Sequence, residues 1–479
     1  MTPEEFRAAG HDLIDWIADF RSDVESRPVR ADVMPGDIRA ALPSTPPEGK
    51  DSFSDVVDDL EGIVLPGVMM MQHPMNFGWF PANASLASVL GDFASSGLGS
   101  IGISWESCPS LTEVEEVVCD WMRQLVGLSD DWSGVINDTA STATLVAVLV
   151  ARERATNLGQ NDGGLQASGS PLVVYSTEQA HSSVAKAALL AGLGWDNIRM
   201  IETDPLSFGM RPDALAAAMD SDVAAGRTPT VVVASTGSTG VTAMDPIAEI
   251  VDVAANHDAW VHVDAAMAGS AMLLPECRHL WNGVEGADSV SMNPHKWIGT
   301  ILDCSLLYVR DVRLLNRVMS TNASYLQSTV DGDVTQFRDW GIPLGRRFRA
   351  LKLWFHLRLD GVEAIQKRLR RDLANAKWFS DEVTHAASSD GGRWSVVAPV
   401  TLQTVCVRHE PAGMSADEID AHTLRWVNEI NSSGSAFLSP SLLDDRWMVR
   451  VSVGVENTER HHVARLWELM QEAANRSAG

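Results

Sequence analysis

The centre of the chain reads Asp288-Ser289-Val290-Ser291-Met292-Asn293-Pro294-His295-Lys296-Trp297. This pattern predicts a short apolar strand, a turn at Pro294 and a lysine directly after the turn. Apolar runs lie on both sides of Lys296, at residues 289–292 and 304–309, so we expect its side chain inside a domain. A buried lysine must lose its proton, pair with an anion or become covalently bound. The ordinary alternative is a solvated surface lysine, which this stretch alone does not exclude.

Strand and helix patterns alternate around this stretch. Apolar runs predict strands at residues 172–175, 230–235, 259–264, 289–292 and 305–309, and helical patterns lie between them at residues 182–193, 211–225 and 246–257. Strands that alternate with helices form a mainly parallel sheet that is covered by helices on both faces. Such sheets bind their ligands beyond the carboxyl ends of the strands. We therefore expect an α/β fold with a ligand site close to Lys296.

The two ends of the chain differ from this alternating region. The start, Thr2-Pro3-Glu4-Glu5, predicts a capped helix, and a second amphipathic stretch follows a Pro-rich segment. Two helices make a poor independent domain, so residues 1–84 are predicted to form a helical segment that packs on a partner subunit. Residues 85–360 are predicted to form the large α/β domain, and residues 361–479 a small C-terminal α+β domain.

Charge and cysteine content restrict the possible partners and compartment. The 479 residues include 37 Lys+Arg and 63 Asp+Glu, a net charge of −26, which disfavours binding to nucleic acid or anionic membranes. The five cysteines are scattered and form no CxxC pair, as expected of reduced thiols without a disulfide framework or zinc site. No apolar run reaches membrane-spanning length, and the first residues lack a signal-peptide pattern. We therefore expect a cytoplasmic protein without a metal site.

Two segments place polar residues where the sheet should present its ligand. A strand that ends in a carboxylate and continues into small residues reads Val261-His262-Val263-Asp264-Ala265-Ala266. Asp264 either caps a turn, which is the commoner role, or pairs with a protonated ring nitrogen. A helix start with several hydroxyl groups reads Ile136-Asn137-Asp138-Thr139-Ala140-Ser141-Thr142. These hydroxyls either cap the helix in the ordinary way or help to bind a phosphate group.

Three further segments each allow an ordinary and a functional interpretation. His181 lies at a strand-to-helix turn and is either structural or placed against a flat cofactor. Residues 320–336 are polar, with Tyr325 in the middle, which is typical of a loose surface loop or of a mobile lid that carries a phenol. The aromatic residues between 72 and 83 favour either interdomain packing or a pocket lining. In combination with Lys296 and Asp264, these parts match what pyridoxal phosphate chemistry requires.

With these motifs the sequence resembles the group II pyridoxal-phosphate decarboxylases, most closely the aromatic-L-amino-acid decarboxylases. The resemblance extends from the first helix to the strand near residues 449–452. Its motifs are Asn293-Pro294-His295-Lys296-Trp297, His262-Val263-Asp264-Ala265-Ala266, Gln179-Ala180-His181-Ser182-Ser183, Ser107-Cys108-Pro109-Ser110-Leu111-Thr112-Glu113 and Ile342-Pro343-Leu344-Gly345-Arg346-Arg347-Phe348-Arg349. It implies the pyridoxal-phosphate-dependent transferase fold of the aspartate aminotransferase type, with a mainly parallel seven-stranded sheet, and a homodimer whose active site lies at the subunit interface.

The resemblance also implies a role for individual residues. Lys296 would form the Schiff base with pyridoxal 5'-phosphate, Asp264 would pair with the pyridinium nitrogen, and His181 would stack on the ring. Tyr325 would protonate the carbon atom that CO₂ has left. The other residues expected to bind the cofactor are Thr139, Ala140, Ser141, Ser182, Asn293 and His295 around the phosphate, Thr239 near the ring oxygen and Ala266 on the second ring face.

The residues implied for the substrate pocket are apolar: Trp79, Phe80, Pro81, Ala82, Ile101 and Ile103. They favour an aromatic L-amino acid (tryptophan or 5-hydroxytryptophan, DOPA, tyrosine or phenylalanine) over histidine or glutamate. Ile103 stands where the family commonly has a Phe from the partner subunit, which leaves room for an indole. An aromatic aldehyde synthase is an alternative, although such relatives often replace the lid tyrosine or the stacking histidine, and both are present here. A noncatalytic protein with this fold is disfavoured because Lys296, Asp264, His181 and Tyr325 occur together.

Overall fold

The computed structural model describes residues 1–166, 169–321, 332–389 and 393–478. The chain forms two compact units that are discontinuous in sequence. The terminal unit contains Met1–Pro81, Trp378–Ser395 and Val407–Gly479, and the central unit contains Ala82–Lys377 and Val396–Cys406. The division into residues 1–84, 85–360 and 361–479, with the first segment on a partner subunit, stays a prediction.

The described residues form fourteen α-helices and eleven β-strands. The helices are α1 (Pro3–Asp23), α2 (Asp37–Ala41), α3 (Phe53–Asp59), α4 (Leu86–Leu98), α5 (Pro109–Val126), α6 (Ala140–Ala155), α7 (Ser183–Leu190), α8 (Pro212–Ala224), α9 (Ile247–Ala255), α10 (Val312–Met319), α11 (Ala350–Leu359), α12 (Val362–Ser389), α13 (Ala416–Ser433) and α14 (Arg460–Ala478). The strands are β1 (Ser133–Asn137), β2 (Leu172–Ser176), β3 (Ile198–Met200), β4 (Thr228–Ser235), β5 (Trp260–Asp264), β6 (Ser289–Met292), β7 (Ser305–Val309), β8 (Trp394–Val396), β9 (Thr404–His409), β10 (Ser439–Leu443) and β11 (Arg446–Ser452).

The central unit is organised around a seven-stranded sheet with the strand order β1-β7-β6-β5-β4-β2-β3. β7 is antiparallel to its neighbours β1 and β6, whereas the strands from β6 to β3 pair in parallel. The predicted α/β fold with a mainly parallel seven-stranded sheet is therefore confirmed. Because β1, β2, β4, β5 and β6 run in the same direction, their carboxyl ends share one edge of the sheet.

Burial of the strands on both faces explains their continuous apolar sequences. Every residue of β2, β5 and β7 is buried. Helix α6 packs against the middle of the sheet and buries residues around much of its circumference, including Ala143, Val146, Val148 and Val150. Its first residue, Ala140, follows the end of β1 after two residues, so the start of α6 lies at the carboxyl edge of the sheet.

The terminal unit contains the first helices and the strands β10 and β11, which are antiparallel to each other. Helix α1 begins with the predicted capping box, in which Thr2 Oγ1 accepts from the Glu5 N–H at 3.1 Å and the Glu5 carboxylate accepts from the Thr2 N–H at 2.7 Å. No residue of α1 is buried, and Phe6 and Ile14 are 54% and 43% exposed. Within the described ranges, no helix is both long enough and apolar enough to cross a membrane.

Candidate active site

Three strands end side by side at the carboxyl edge of the central sheet. Ser235 of β4 pairs with Asp264 of β5, and Asp264 pairs with Ser291 of β6. Beyond the strands, the backbone N–H of Asn293 donates to the carbonyl of Ala266 at 2.9 Å. This register brings the predicted pyridinium partner next to the segment that carries the predicted cofactor lysine.

Lys296 lies in a tight turn, Pro294–Ile298, directly after β6. Its backbone N–H donates to the carbonyl of Asn293 at 3.0 Å, and the N–H of Gly299 closes the turn on the carbonyl of Pro294 at 2.9 Å. Gly299 has φ +104°, a conformation that favours glycine. Burial lowers the pKa of the Lys296 amine, and the Asp264 carboxylate opposes this shift. A lower pKa increases the neutral, nucleophilic fraction of the amine.

Asp264 is 9% exposed, and its Oδ1 accepts a hydrogen bond from the backbone N–H of Ala266 at 3.0 Å. The carboxylate therefore does cap a turn, as the ordinary interpretation predicted. Its charge nevertheless reaches the site, because it raises the pKa of both Lys296 and His181 against the effect of their burial. His262 lies two residues earlier on the same strand, and burial lowers its pKa to about 4, so this ring is neutral at physiological pH.

The ring of His181 is held at the start of α7 by a hydrogen bond within the turn. Its Nδ1 accepts from the backbone N–H of Ser183 at 3.2 Å and lies 2.9 Å from the Ser183 hydroxyl. Because Nδ1 accepts, the proton of the neutral ring is on Nε2. Partial burial lowers the pKa of His181, the Asp264 carboxylate raises it, and Lys296 and Lys186 lower it further. The ring is thus mainly neutral near pH 7, and its pKa depends on the charges of Asp264 and Lys296.

Two side chains next to Lys296 are oriented as hydrogen-bond donors. Nδ1 of His295 accepts from the backbone N–H of Cys304 at 2.9 Å, so the proton of its neutral ring is on Nε2. Burial, reinforced by the neighbouring Lys296, lowers the pKa of His295 to about 4. Oδ1 of Asn293 accepts from the hydroxyl of Ser305 at 2.6 Å, which directs the amide nitrogen away from that strand. Both arrangements suit an anionic ligand.

The remaining residues predicted to bind the phosphate lie at helix starts. Thr139 is the N-cap of α6, where its hydroxyl accepts from the Thr142 N–H at 3.4 Å, and Ala140 and Ser141 follow in the first turn. Ser182 directly precedes α7 and is exposed. The first N–H groups of a helix lack acceptors within the helix and therefore suit an anion. At Thr139, the capping interpretation and the phosphate interpretation are compatible.

The loop after β4 approaches the turn after β5 so closely that one position requires glycine. Gly237 has φ +80°, and a Cβ atom there would lie 2.4 Å from the Cβ atom of Ala268. The loop continues into Thr239, which is exposed, and Ala266 at the end of β5 is partly buried. The predicted contacts of Thr239 and Ala266 with the cofactor stay predictions.

The residues predicted to line the substrate pocket are divided between the two units. Trp79, Phe80 and Pro81 belong to the terminal unit, and Ala82, Ile101 and Ile103 belong to the central unit. In the terminal unit, Trp79 has φ +50°, is 52% exposed and packs its ring 4.9 Å from that of Phe437. A positive φ at a large non-glycine residue is uncommon and is often found at ligand-binding sites.

Arg346 holds the loop that carries Ile101 and Ile103. Two backbone hydrogen bonds, at 2.9 and 3.1 Å, join Gly102 to Arg346, whose guanidinium group pairs with the buried Glu115 at 2.6 Å and donates to the carbonyl of Ile136 at 2.7 Å. Arg346 belongs to one of the motifs quoted in the sequence analysis, but that motif did not predict that Arg346 holds this loop.

Tyr325 and most of the predicted lid lie outside the described residues, but Gln336 at the end of the lid accepts from the backbone N–H of Trp105 at 2.9 Å.

The groups gathered at this edge fit pyridoxal 5'-phosphate. A lysine with a lowered pKa can bond the aldehyde, a carboxylate beside it can hold the ring nitrogen protonated, and neutral N–H donors next to a helix start can bind the phosphate. Fold and site therefore define a pyridoxal-phosphate enzyme of the parallel-sheet type. Comparison with known proteins identifies its family.

Residues 35–410 match the model of the pyridoxal-dependent decarboxylase conserved domain. Tryptophan decarboxylase 2 of Oryza sativa subsp. japonica is 38% identical over 100% of this chain and 96% of its own length. Phenylacetaldehyde synthase of Arabidopsis thaliana is also 38% identical, over 99% of this chain and 97% of its own. The crystal structure of Oryza sativa TDC with PLP and tryptamine superimposes with a TM-score of 0.95 at 37% identity and covers 99% of both chains.

The chain belongs to the pyridoxal-dependent decarboxylase family, and pyridoxal phosphate is its cofactor. The resemblance inferred from the sequence motifs is thereby confirmed. The assignment of individual site residues rests on the sequence resemblance and on the geometry of the described residues, and it stays a proposal.

Proposed function

We propose that this chain decarboxylates an aromatic L-amino acid to the corresponding amine and CO₂. The observation that carries this proposal is the similarity, over nearly the whole chain, to a tryptophan decarboxylase and to a structure that contains PLP and tryptamine. The six residues predicted to line the pocket support it, because none of them carries the positive charge that a glutamate side chain would need. Tryptophan or 5-hydroxytryptophan, DOPA, tyrosine and phenylalanine are the proposed substrates.

Each described residue would contribute one physical task. Bound pyridoxal phosphate supplies an aldehyde for amines and an electron-withdrawing ring. The Lys296 amine would hold the aldehyde carbon, and the Asp264 carboxylate would keep a proton on the ring nitrogen. The neutral imidazole of His181 would contact the ring, and Nε2–H of His295 and the amide of Asn293 would bind the phosphate. Backbone hydrogen bonds fix His181, Asp264 and His295, and the Ser305 hydroxyl fixes Asn293, so these four side chains would bind the cofactor with little reorganisation.

An aromatic aldehyde synthase is the second candidate, because a phenylacetaldehyde synthase is as similar to this chain as a decarboxylase is. Both enzymes remove CO₂, and they differ in whether the carbon atom is then protonated or oxidised. This sequence contains Tyr325 and His181, which supports protonation and hence the amine product.

The Tyr325→Phe variant is expected to convert the enzyme from amine to aldehyde production. Without the phenolic proton donor, dioxygen oxidises the carbon atom, and one O₂ and one water yield one aldehyde, CO₂, ammonia and hydrogen peroxide per substrate. Amine and peroxide are measured in the same reaction. Tyr175→Phe is the matched control, because it also removes one phenolic hydroxyl. The hydroxyl of Tyr175 is buried and donates to Asp222 at 2.9 Å. Unchanged amine output from Tyr325→Phe would show that Tyr325 is not the proton donor.

CO₂ release from a panel of amino acids tests the proposed substrate class. The panel contains tryptophan, 5-hydroxytryptophan, DOPA, tyrosine, phenylalanine, histidine and glutamate. We expect turnover of one or more of the five aromatic substrates, with kcat/KM at least about tenfold above that of histidine and glutamate, because the predicted pocket residues are apolar. Turnover of histidine or glutamate alone would contradict the proposal.

The proposed enzyme is a homodimer with its active site at the subunit interface. The exposure of α1 supports a partner, because this 21-residue amphipathic helix packs Trp16 and Phe20 against a small cluster of its own chain but leaves Phe6 and Ile14 exposed. Light scattering should therefore give twice the chain mass of 51.9 kDa.

The five cysteines are free, two of them partly exposed, which supports the proposed cytoplasmic location.

A further inference from the structure

One turn of α12 holds the two residues that directly follow Lys296. Nη2 of Arg368 donates to the backbone carbonyl of Trp297 at 2.9 Å and also to the carbonyl of Ile298. Four residues later, Oδ2 of Asp372 accepts from the indole N–H of Trp297 at 2.9 Å. Arg368 and Asp372 therefore bind both the main chain and the side chain of the lysine turn.

The contact between α12 and the lysine turn is enclosed. The side chains of Asp372 and Trp297 are fully buried, and Arg368 is 11% exposed. Nη2 of Arg371 lies 3.2 Å from Oδ1 of Asp372, and Nη1 of Arg368 lies 4.0 Å from Oδ2. The charge of the buried carboxylate is therefore compensated by two cations. Burial raises the pKa of Asp372 to about 6, and the two guanidinium groups oppose this rise. Buried charged hydrogen bonds are short and directional, so they restrict the position of the groups they join.

Gly299 allows Arg368 to approach the turn. A Cβ atom at this position would lie 3.2 Å from Nη2 of Arg368, and a side chain there would also strain the backbone at φ +104°. A side chain at residue 299 would therefore crowd the guanidinium group that donates to the two carbonyls. The lysine turn and helix α12 therefore pack closely against each other at Gly299.

We propose that Arg368 and Asp372 are positioning residues that fix the turn Pro294–Ile298 and thereby set the place of the Lys296 amine relative to Asp264. The turn lies between α12 and the carboxyl edge of the sheet, so loss of either hydrogen-bonding group lets Lys296 shift away from its buried position. The proposal rests on Lys296 as the cofactor lysine. It does not depend on which amino acid is the substrate.

The direct test measures the Lys296 amine in the full-length protein after cofactor removal. The rate at which acetic anhydride labels Lys296 is followed against pH by mass spectrometry, which gives the amine pKa without any turnover. The variants are Arg368→Met and Asp372→Asn. Arg370→Met is the matched control, because Arg370 lies on the same helix, is exposed and pairs with Glu276 at 2.6 Å.

We expect Arg368→Met and Asp372→Asn to move the Lys296 labelling midpoint by about one pH unit. A displaced amine should also capture added pyridoxal phosphate about tenfold or more slowly, as followed by absorbance. Arg370→Met should change neither quantity. Arg368→Lys should restore part of the capture rate, because an ammonium group can still donate to a carbonyl.

A double-mutant cycle separates positioning from general stability. If Asp372 acts through the indole of Trp297, Asp372→Asn should have little further effect in a Trp297→Phe background. Additive effects would show that Asp372 does not act through Trp297. A lower melting temperature with unchanged labelling and capture in Arg368→Met and Asp372→Asn would overturn the proposal. If Arg368→Met fails to fold, Arg368→Lys and Asp372→Asn give the same two measurements.

Discussion

Replacement of Lys296 by alanine is expected to lower kcat by at least about 10³-fold. Burial lowers the pKa of the Lys296 amine although the Asp264 carboxylate opposes this shift, so removal of Lys296 takes away the group prepared to bond the cofactor aldehyde. Steady-state CO₂ release gives kcat. Borohydride reduction followed by mass spectrometry should place the cofactor on the peptide that contains residue 296 in the wild-type protein, and should leave this peptide unlabelled in the variant.

Lys367→Ala is the control for this experiment. Lys367 is an exposed residue of α12, so its removal changes the charge of the protein by the same amount without changing the site. This variant should retain wild-type kcat and borohydride labelling at residue 296. Wild-type turnover by Lys296→Ala, or cofactor fixed on a different lysine of the wild-type protein, would contradict the assignment of Lys296.

The Asp264→Asn variant is expected to lose about 10²–10³-fold in kcat. Asparagine can still accept the hydrogen bond from the Ala266 N–H through Oδ1, so the local turn is kept while the negative charge is removed. Without this charge the ring nitrogen of the cofactor is no longer held in its protonated form. Because Asp264 raises the pKa of Lys296 and of His181, both should fall further in the variant.

These two shifts can be measured separately from turnover. Labelling of Lys296 against pH and the NMR titration of the His181 ring should both move to lower pH in Asp264→Asn. Asp264→Glu keeps the charge and should move the two pKa values less than Asp264→Asn does. Unchanged titrations together with full activity in Asp264→Asn would show that the carboxylate does not act on the site.

Much of the central sheet could be predicted because its strands are buried on both faces. The five predicted strands appear as β2 and β4 to β7 within two residues of their predicted limits. The pattern missed β3, Ile198–Met200, which has only three residues and none of them buried. It also missed β1, Ser133–Asn137, where a serine and a glycine open the strand. Short or partly exposed strands carry too few apolar residues to stand out.

Contacts between residues that are far apart in the sequence were harder to predict. Residues 1–81 group with residues 378–395 and 407–479, a contact pattern that local periodicity does not contain. Arg368 and Asp372 show the same difficulty inside the site, because charged residues four apart on a helix usually indicate a solvated face. Their burial depends on the turn at Lys296, which is more than 70 residues away in sequence.

The orientation of β7 bears on how the site assembles during folding. Because β7 is antiparallel to β6, the twelve residues from 293 to 304 connect adjacent strands in which Met292 pairs with Leu306. The entropic cost of closing this loop is lower, by about 0.6 kcal/mol, than that of the connection from β5 to β6, which is twice as long. We therefore expect the β6–β7 hairpin, with its lysine, to acquire amide protection early in refolding, before the parallel β5–β6 pairing brings Asp264 beside it.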